Sequence, residues 1–580
     1  MKRDLRHVLR IQDTHLLETG LLIGLLFLSA TLLWHDLGVR EVLGRDENAT
    51  ITKLDQPGLT AVLHVTQIKV TGQPGNMQPL YFLIQYLFWP AVRRSAFMLR
   101  FLPSVFGVLV VVFSYKLGEL LFEPRTGLIG ALFTALLPLH VRYAQIARPY
   151  SLLALLGLAS AYFLVRALET HRSRFWFGFV LTATLGFYAH YNALFVLLTE
   201  AIFTGVWAVG ALVAWKKKQQ SVRCLTQAVV GFLLVSLLST PGLIRLLRLP
   251  WLGLDSGNAA TGSPTIELTI PFFRHFLYNS GIRTISFQNL FMGSVVLGLV
   301  ATAYRRRWLS LVLASLWLSV PFVTLALVRS PRPFEERYVI FLTPMAMLLM
   351  GQAVLAVSRL VANLVWRWKQ WDIRGPVTSI LSLGLALLLF AALQVYYANG
   401  RAADRLDRTL QVVERHARPS DIILVSPRFF LRPLQVSGAE VVYLDEHLSP
   451  EELDAWAMLY QRVWVLYSSY LPSVELQEPL DRWVQAREQD FVRIPIKSIM
   501  AVALGSLVEQ DAEVSLQEQI AVLEEMAQVS SGDSEARQRY GILADAYGAL
   551  ADLYEGRGET GRAAEYRAKS EAARSTASRP

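Results

Sequence analysis

Residues 100–121 read RFLPSVFGVLVVVFSYKLGELL. About 20 consecutive apolar residues, wound as a helix, cross the hydrocarbon core of a bilayer. Runs of this kind recur at about 16–34, 127–141, 149–168, 175–189, 192–214, 224–243, 287–304, 308–328, 338–357 and 377–397, so the sequence predicts eleven spans within its first 400 positions. Composition agrees. Hydrophobic residues make up 53% of the 580 and charged residues 18%, against about 25% charged in a soluble average; mean hydropathy is +0.36. The single cysteine, Cys224, excludes an intrachain disulfide framework and any cysteine-based zinc site.

The net charge of +10 would suggest a nucleic-acid partner in a soluble chain. Its distribution argues otherwise. Residues 1–400 carry 36 basic and 17 acidic side chains, and residues 401–580 carry 20 and 29. A basic membrane body is joined to an acidic soluble tail. Membrane lipids are the expected surroundings of the body, and no nucleic acid is expected.

Segment 79–92 (PLYFLIQYLFWPAV) is too short to span and is expected at the interface. The first span is too long and lacks a small-residue cleavage site, so it is not read as a signal peptide. With eleven spans, the basic start MKRDLRHVLR and the loops 166–174, 216–223, 305–307 and 359–374 all fall inside, as the lysine and arginine bias requires. Segments 35–99, 142–148, 189–191, 244–286, 329–337 and the tail then lie outside. These outer segments and adjoining span ends still hold Arg93, Arg94, Arg100, Arg142, Arg148, Arg245, Arg248, Arg274, Arg283, Arg329, Arg332 and Arg337. Snorkelling headgroup anchors account for such residues singly. As a set, and nearly all arginine, they suit an outward anion site, because the guanidinium fork fits phosphate oxygens.

Polar and aromatic segments gather on the same predicted face. The first outer loop, 35–99, holds Arg45-Asp46-Glu47-Asn48 and then Gln78-Pro79-Leu80-Tyr81. Leu99-Arg100-Phe101-Leu102-Pro103-Ser104 begins the next span. Ala147-Arg148-Pro149-Tyr150, Tyr188-Ala189-His190-Tyr191-Asn192 and Glu335-Glu336-Arg337-Tyr338 follow. A carboxylate pair near a bilayer surface can act as base, metal ligand or hydrogen-bond acceptor. Glu200 lies within a predicted span, where an acid is a functional candidate without an evident partner.

In this ordered series the sequence resembles the GT-C membrane glycosyltransferases of family 39, the protein mannosyltransferase and aminoarabinose transferase-like group, over roughly residues 15–470. The resemblance implies a polytopic helical enzyme that takes a sugar from a polyprenyl-phosphate donor and passes it to a hydroxyl of a lipid, protein or glycan at the outer face of the cell membrane. It implies Asp46 as general base or acceptor-positioning carboxylate with Glu47 in support, and Arg337 and Tyr338 on the donor phosphate. Arg100, Arg148, Tyr150, His190, Tyr191 and Tyr81 complete the expected substrate-contacting set. Two departures stand out. Met77-Gln78 replaces the basic residue that relatives often carry near these prolines, and Ile146 stands where many have a glutamate. A metal site built on that second acid is missing; a divalent cation held otherwise is left open. The rival reading is a transporter or flippase of a lipid-linked glycan, which would need polar groups near the bilayer midplane. The gathering of polar residues at one face favours the transferase.

In the tail, residues 401–415 predict an amphipathic helix. Strands are expected at Asp421–Val425, Glu440–Leu444 and Arg462–Tyr467, and a capped helix opens at Ser449-Pro450-Glu451-Glu452. The alternation predicts a small α/β domain over 400–505, after the transmembrane domain 1–399. Residues 506–580 resemble one tetratricopeptide-like helix pair with Gly558 at its turn, which cannot bury a core alone.

Overall fold

The computed structural model describes residues 2–38, 45–54, 56–67, 78–88, 90, 95–213, 218–247, 268–327, 335–369, 371, 373–399, 410–425, 436, 438–443, 449–468, 479–487, 489–497, 500–506, 511–528 and 534–578. Arg93, Arg94, Arg248, Arg329 and Arg332, and residues 401–409 of the expected tail helix, lie outside this set. The chain forms two compact units. One comprises Met1–Val39 and Ala49–Gly400; the other comprises Arg40–Asn48 and Arg401–Pro580.

Among the described residues of the first unit, the regular elements are all helices. Its helices are α1 (Lys2–Trp34), α2 (Arg45–Leu54, which begins in the second unit), α3 (Leu59–Gln67), α4 (Leu80–Leu87), α5 (Ala96–Leu121), α6 (Pro124–Leu136), α7 (Pro138–Ala144), α8 (Tyr150–Thr170), α9 (Ser173–Ala189), α10 (Ala193–Val213), α11 (Lys218–Leu247), α12 (Ile270–Asn279), α13 (Ile285–Tyr304), α14 (Trp308–Leu327), α15 (Thr343–Lys369) and α16 (Arg374–Asn399); a 3-10 helix, Glu336–Leu342, leads into α15. Each run read as a span is helical, one of them with a break. Among the described residues eight helices are long and apolar enough to cross a membrane, or nine if the bent pair α6–α7 counts as one. The chain is a multi-pass membrane protein. The apolar part of α1, Glu18–Trp34, and α9, with 17 residues, are shorter. Helix α4 has eight residues, about 12 Å at 1.5 Å per residue, and cannot span.

The broken run is 127–141. Pro138 drives the preceding Leu137 into an extended conformation (φ −70°, ψ 122°) and starts α7 at its first turn. The two helices meet at 64°. This break re-aims α7 and so sets the direction of the turn 145–149 that follows it.

Helix α15 is the buried axis of the unit. From Val339 to Met350 the apolar side chains of the 3-10 segment and α15 are almost wholly enclosed. Helix α13 approaches α15 so closely that a Cβ on Gly298 would lie 2.1 Å from the Leu349 carbonyl oxygen; only glycine fits that crossing. The buried Trp317 of α14 donates its indole N–H to Phe341 O at 3.0 Å, so burial leaves no orphaned donor there. The carbonyls at the end of α1 have no partners within the helix. Gln145 Nε2 donates to Leu33 O at 3.0 Å, Tyr397 Oη to Leu32 O at 2.7 Å and Arg100 Nη1 to Leu37 O at 3.3 Å. Residues that the charge bias assigned to the inner face also meet. Glu123 pairs with Arg359 and, at 3.5 Å, with Arg305, and Arg307 donates to the carbonyls that end α5.

The second unit holds a five-stranded sheet of order β2-β1-β3-β5-β4, with β1 Asp421–Val425, β2 Glu440–Tyr443, β3 Arg462–Ser468, β4 Phe491–Lys497 and β5 Met500–Gly505. Strand β1 is parallel to β2 and β3, whereas β5 is antiparallel to β3 and β4. The three expected strands are present, and Ser449 caps its helix reciprocally with Glu452. The β4–β5 hairpin is an addition that the sequence does not announce. Pro495 interrupts one strand and MAVALG has little β-branched character, so propensity hides both. Alternate strand residues face two helical layers. Ile422, Leu424, Val463 and Val465 pack with α17 (Pro450–Ala457) and α18 (Pro479–Gln485). Ile423, Val425, Trp464 and Leu466 pack with α19 (Ala512–Gln528), α20 (Ser534–Gly556) and α21 (Thr560–Ala577). The last three helices thus share a core with the sheet. Gly558, at φ +78°, makes the turn between α20 and α21.

At the edge of this core Asp421 is fully buried. It accepts from Arg462 Nε (3.1 Å) and Nη2 (2.7 Å), Trp464 Nε1 (3.0 Å) and the Arg418 N–H (2.8 Å). Arg462 also reaches Glu518 of α19 at 3.0 Å and His416 O at 2.7 Å. One satisfied charge cluster therefore ties the helix over 410–416, β1, β3 and α19 together.

Candidate functional site

Three turns of the first unit converge. The first follows α7, where Arg148 turns back on Ile146 (N to O, 2.7 Å) before Pro149 opens α8 at Tyr150. The second separates α9 from α10 and carries His190, Tyr191 and Asn192. The third is the 3-10 segment with Glu336, Arg337 and Tyr338. Asn192 Nδ2 donates to Tyr338 O at 2.9 Å and fixes the second turn to the third. The His190 and Tyr150 rings lie 5.6 Å apart between centroids and link the second to the first.

Tyr150 is the centre of this cluster. Arg148 Cζ lies 5.9 Å from its ring centroid and Arg337 Cζ lies 5.6 Å from it. Tyr143 meets the same ring edge-on at 5.3 Å. Arg337 Cζ also lies 6.0 Å from the ring centroid of Tyr338, and the guanidinium pairs with Glu335. Two aromatic faces and one carboxylate thus hold this arginine in place.

His190 is enclosed. Its Nδ1 accepts the Asn192 backbone N–H at 3.1 Å, which puts the ring proton of the neutral form on Nε2. Burial, and then the charges of Arg148 and Arg337, push its pKa down to about 3. It is a neutral hydrogen-bonding group at physiological pH. Lys53 of α2 is held below the ordinary lysine range by burial and by Arg148. Arg148 and Arg337 therefore concentrate positive potential around Tyr150 and His190, an arrangement that favours a bound anion.

Helix α2 reaches this place through Thr50, whose hydroxyl donates to Ala147 O at 2.9 Å beside Arg148. Asp46 stands one turn before Thr50 in the same helix; its side chain lies outside the described residues. Glu47 is buried. Both belong to the second unit.

Of the residues singled out from sequence, the structure brings together Arg148, Tyr150, His190, Arg337 and Tyr338. Arg100 is buried at the start of α5 and bonds the end of α1. Tyr191 packs with Phe187 and Leu246. Tyr81 is buried in α4 with its ring against Phe82. Sequence reasoning assigns no role to Thr50, Lys53, Tyr143 or Asn192, because their connections are made only by the fold. Asn279 of α12 is another such residue: it bonds Glu336, next to Arg337. Beyond it, α12, α13, α14 and the start of α15 border an open apolar cavity of about 600 Å³, lined by Phe273, Phe276, Leu277, Phe322 and Leu342 among others. Among the described residues no three His, Cys, Asp or Glu side chains gather as metal ligands.

Residues 73–239 match the dolichyl-phosphate-mannose-protein mannosyltransferase family. No curated protein sequence matches the chain significantly. Among solved structures, ArnT from Cupriavidus metallidurans in the apo state matches with a TM-score of 0.52 at 14% identity, covering 84% of this chain and 98% of that one. ArnT bound to undecaprenyl phosphate matches with a TM-score of 0.50 at 12% identity, covering 85% and 100%. The apo oligosaccharyltransferase of Archaeoglobus fulgidus gives 0.49 at 12% identity, covering 91% and 86%. The fold is similar to that of ArnT, in line with the GT-C fold that the ordered motifs implied.

Proposed function

We propose that this GT-C-fold chain transfers a sugar from a polyprenyl-phosphate donor to a hydroxyl of a lipid, protein or glycan at the outer face of the cell membrane. The observation that carries the reading is the convergence of Arg148 and Arg337 on Tyr150 and neutral His190. A sugar on polyprenyl phosphate already carries its leaving group. The protein must stabilise the phosphate charge that develops as the C1–O bond breaks, and it must accept the proton of the attacking hydroxyl.

The cation cluster serves the first need; a charge-assisted hydrogen bond contributes about 1.5–3 kcal/mol. His190, neutral and a donor at Nε2, adds a hydrogen bond without needing to titrate. The nearby apolar cavity suits the prenyl chain, and Asn279 connects its wall to Glu336 beside Arg337. Asp46 serves the second need, with Glu47 in support. A positioned carboxylate contributes about 10²–10⁴-fold in rate. ArnT, which shares the fold, has been captured with undecaprenyl phosphate.

The test is sugar transfer by the full chain in liposomes supplied with defined polyprenyl-phosphate sugars and mixed acceptors. Transfer from a lipid-linked donor supports the reading. Transfer from nucleotide sugars alone, or movement of the lipid across the bilayer without transfer, overturns it.

A further inference from the structure

A second, smaller pocket lies beside this cluster. It has a volume of about 110 Å³ and is bounded by Pro138, Arg142, Tyr278, Asn279, Arg283 and Tyr396. The loop that closes it depends on Gly281, at φ +96°, where a Cβ would lie 2.5 Å from Pro138 Cβ. Arg142 Cζ sits 5.4 Å from the Tyr143 ring centroid and Arg283 Cζ sits 5.7 Å from that of Tyr278. Each guanidinium is thus held against an aromatic face. Neither pairs with a carboxylate among the described residues, unlike Arg337, which pairs with Glu335. Two guanidiniums without a counter-ion in one small polar recess are suited to the oxygens of a phosphate.

The surroundings indicate a phosphate that is anchored in the membrane. Ala392 and Tyr396 bring α16 to the pocket, and Leu388 and Val395 of that helix are exposed. An apolar chain can run along them while its headgroup occupies the recess. We propose that this pocket seats the phosphate of a membrane lipid, either a bilayer phospholipid or a sugar-free polyprenyl phosphate. The site adjoins the Tyr150 cluster, since Asn279 bonds Glu336 and Tyr143 packs on Tyr150. It does not depend on the transferase reading.

The test is native mass spectrometry of the full chain in mild detergent, titrated separately with phosphatidylglycerol and with undecaprenyl phosphate. Wild type should retain one copy of at least one lipid. Arg142→Gln/Arg283→Gln should bind it at least about tenfold more weakly, the loss of one charge-assisted bond or more, and Arg337→Ala should bind phosphatidylglycerol normally and lose at most the one copy of undecaprenyl phosphate held at the Tyr150 cluster. Loss of phosphatidylglycerol in Arg142→Gln/Arg283→Gln identifies a bilayer lipid, and loss there of a copy of undecaprenyl phosphate that Arg337→Ala keeps identifies the carrier. Arg283→Gln alone, at an exposed loop position, serves if the double variant does not fold. Binding of neither lipid, undiminished binding by the Arg142 and Arg283 variants, or no further loss when these substitutions are added to Arg337→Ala would overturn the proposal. Abolished sugar transfer in Arg337→Ala with this lipid still bound separates the two sites.

Discussion

The guanidinium of Arg337 lies over the ring of Tyr150, with Cζ 5.6 Å from the centroid. The two residues are far apart in sequence, and each starts or adjoins a helix that enters the core. The contact fixes Arg337 where Arg148 also faces the ring. A cation over an aromatic face contributes about 0.5–2 kcal/mol. Tyr150→Phe keeps that face and should leave donor KM within about threefold of wild type. Tyr150→Leu removes it and should raise donor KM by up to about 30-fold. Equal effects of the two substitutions would assign the role to the hydroxyl.

His190 has its pKa pushed down from the ordinary 6.5 to about 3. Between these values the unfolded chain binds more protons than the folded one. Stability therefore rises with pH across that window and the penalty disappears above about 6.5, with a slope of up to about 1.4 kcal/mol per pH unit. Melting temperatures of wild type and His190→Asn between pH 4 and 8 check this. The variant should lack the corresponding slope. Sugar transfer should show no limb from His190 between about pH 5 and 8.

Asp421 and Arg462 form a buried pair in the second unit. Asp421→Ala leaves the guanidinium without its buried partner and should destabilise that unit by about 3–5 kcal/mol. Hydrogen exchange of β1 and β3 in the full chain is the readout. Protection should fall there and persist in α15.

The helical body was legible because apolar run length reports directly on bilayer crossing. The runs became helices, and the short α4 was distinguishable by the same rule. The break at Leu137 was recoverable from Pro138 but is masked by the continuous apolar run around it. In the tail, Asp421–Val425 and Arg462–Ser468 were visible as β-branched runs, while Met500–Gly505 was not, because pairing with β3 outweighs its low propensity. At the candidate site, Arg148, Tyr150, His190, Arg337 and Tyr338 were singled out as polar and aromatic residues near predicted span ends and by the family resemblance. Lys53, Thr50 and Asn279 carry no such signal; only the meeting of distant helices gives them partners. Arg100 shows the converse, since an arginine at a span end also serves to bind a carbonyl just beyond the end of a neighbouring helix.

We propose that Asp46 on α2 takes the proton of the acceptor hydroxyl while the arginine cluster holds the donor phosphate. The most direct measurement compares sugar transfer by wild type and Asp46→Asn in liposomes containing a polyprenyl-phosphate sugar, with matched melting temperatures as the folding control. The account predicts that Asp46→Asn retains wild-type stability and loses transfer by about 10²-fold or more. Wild-type-like transfer by the folded variant would contradict it.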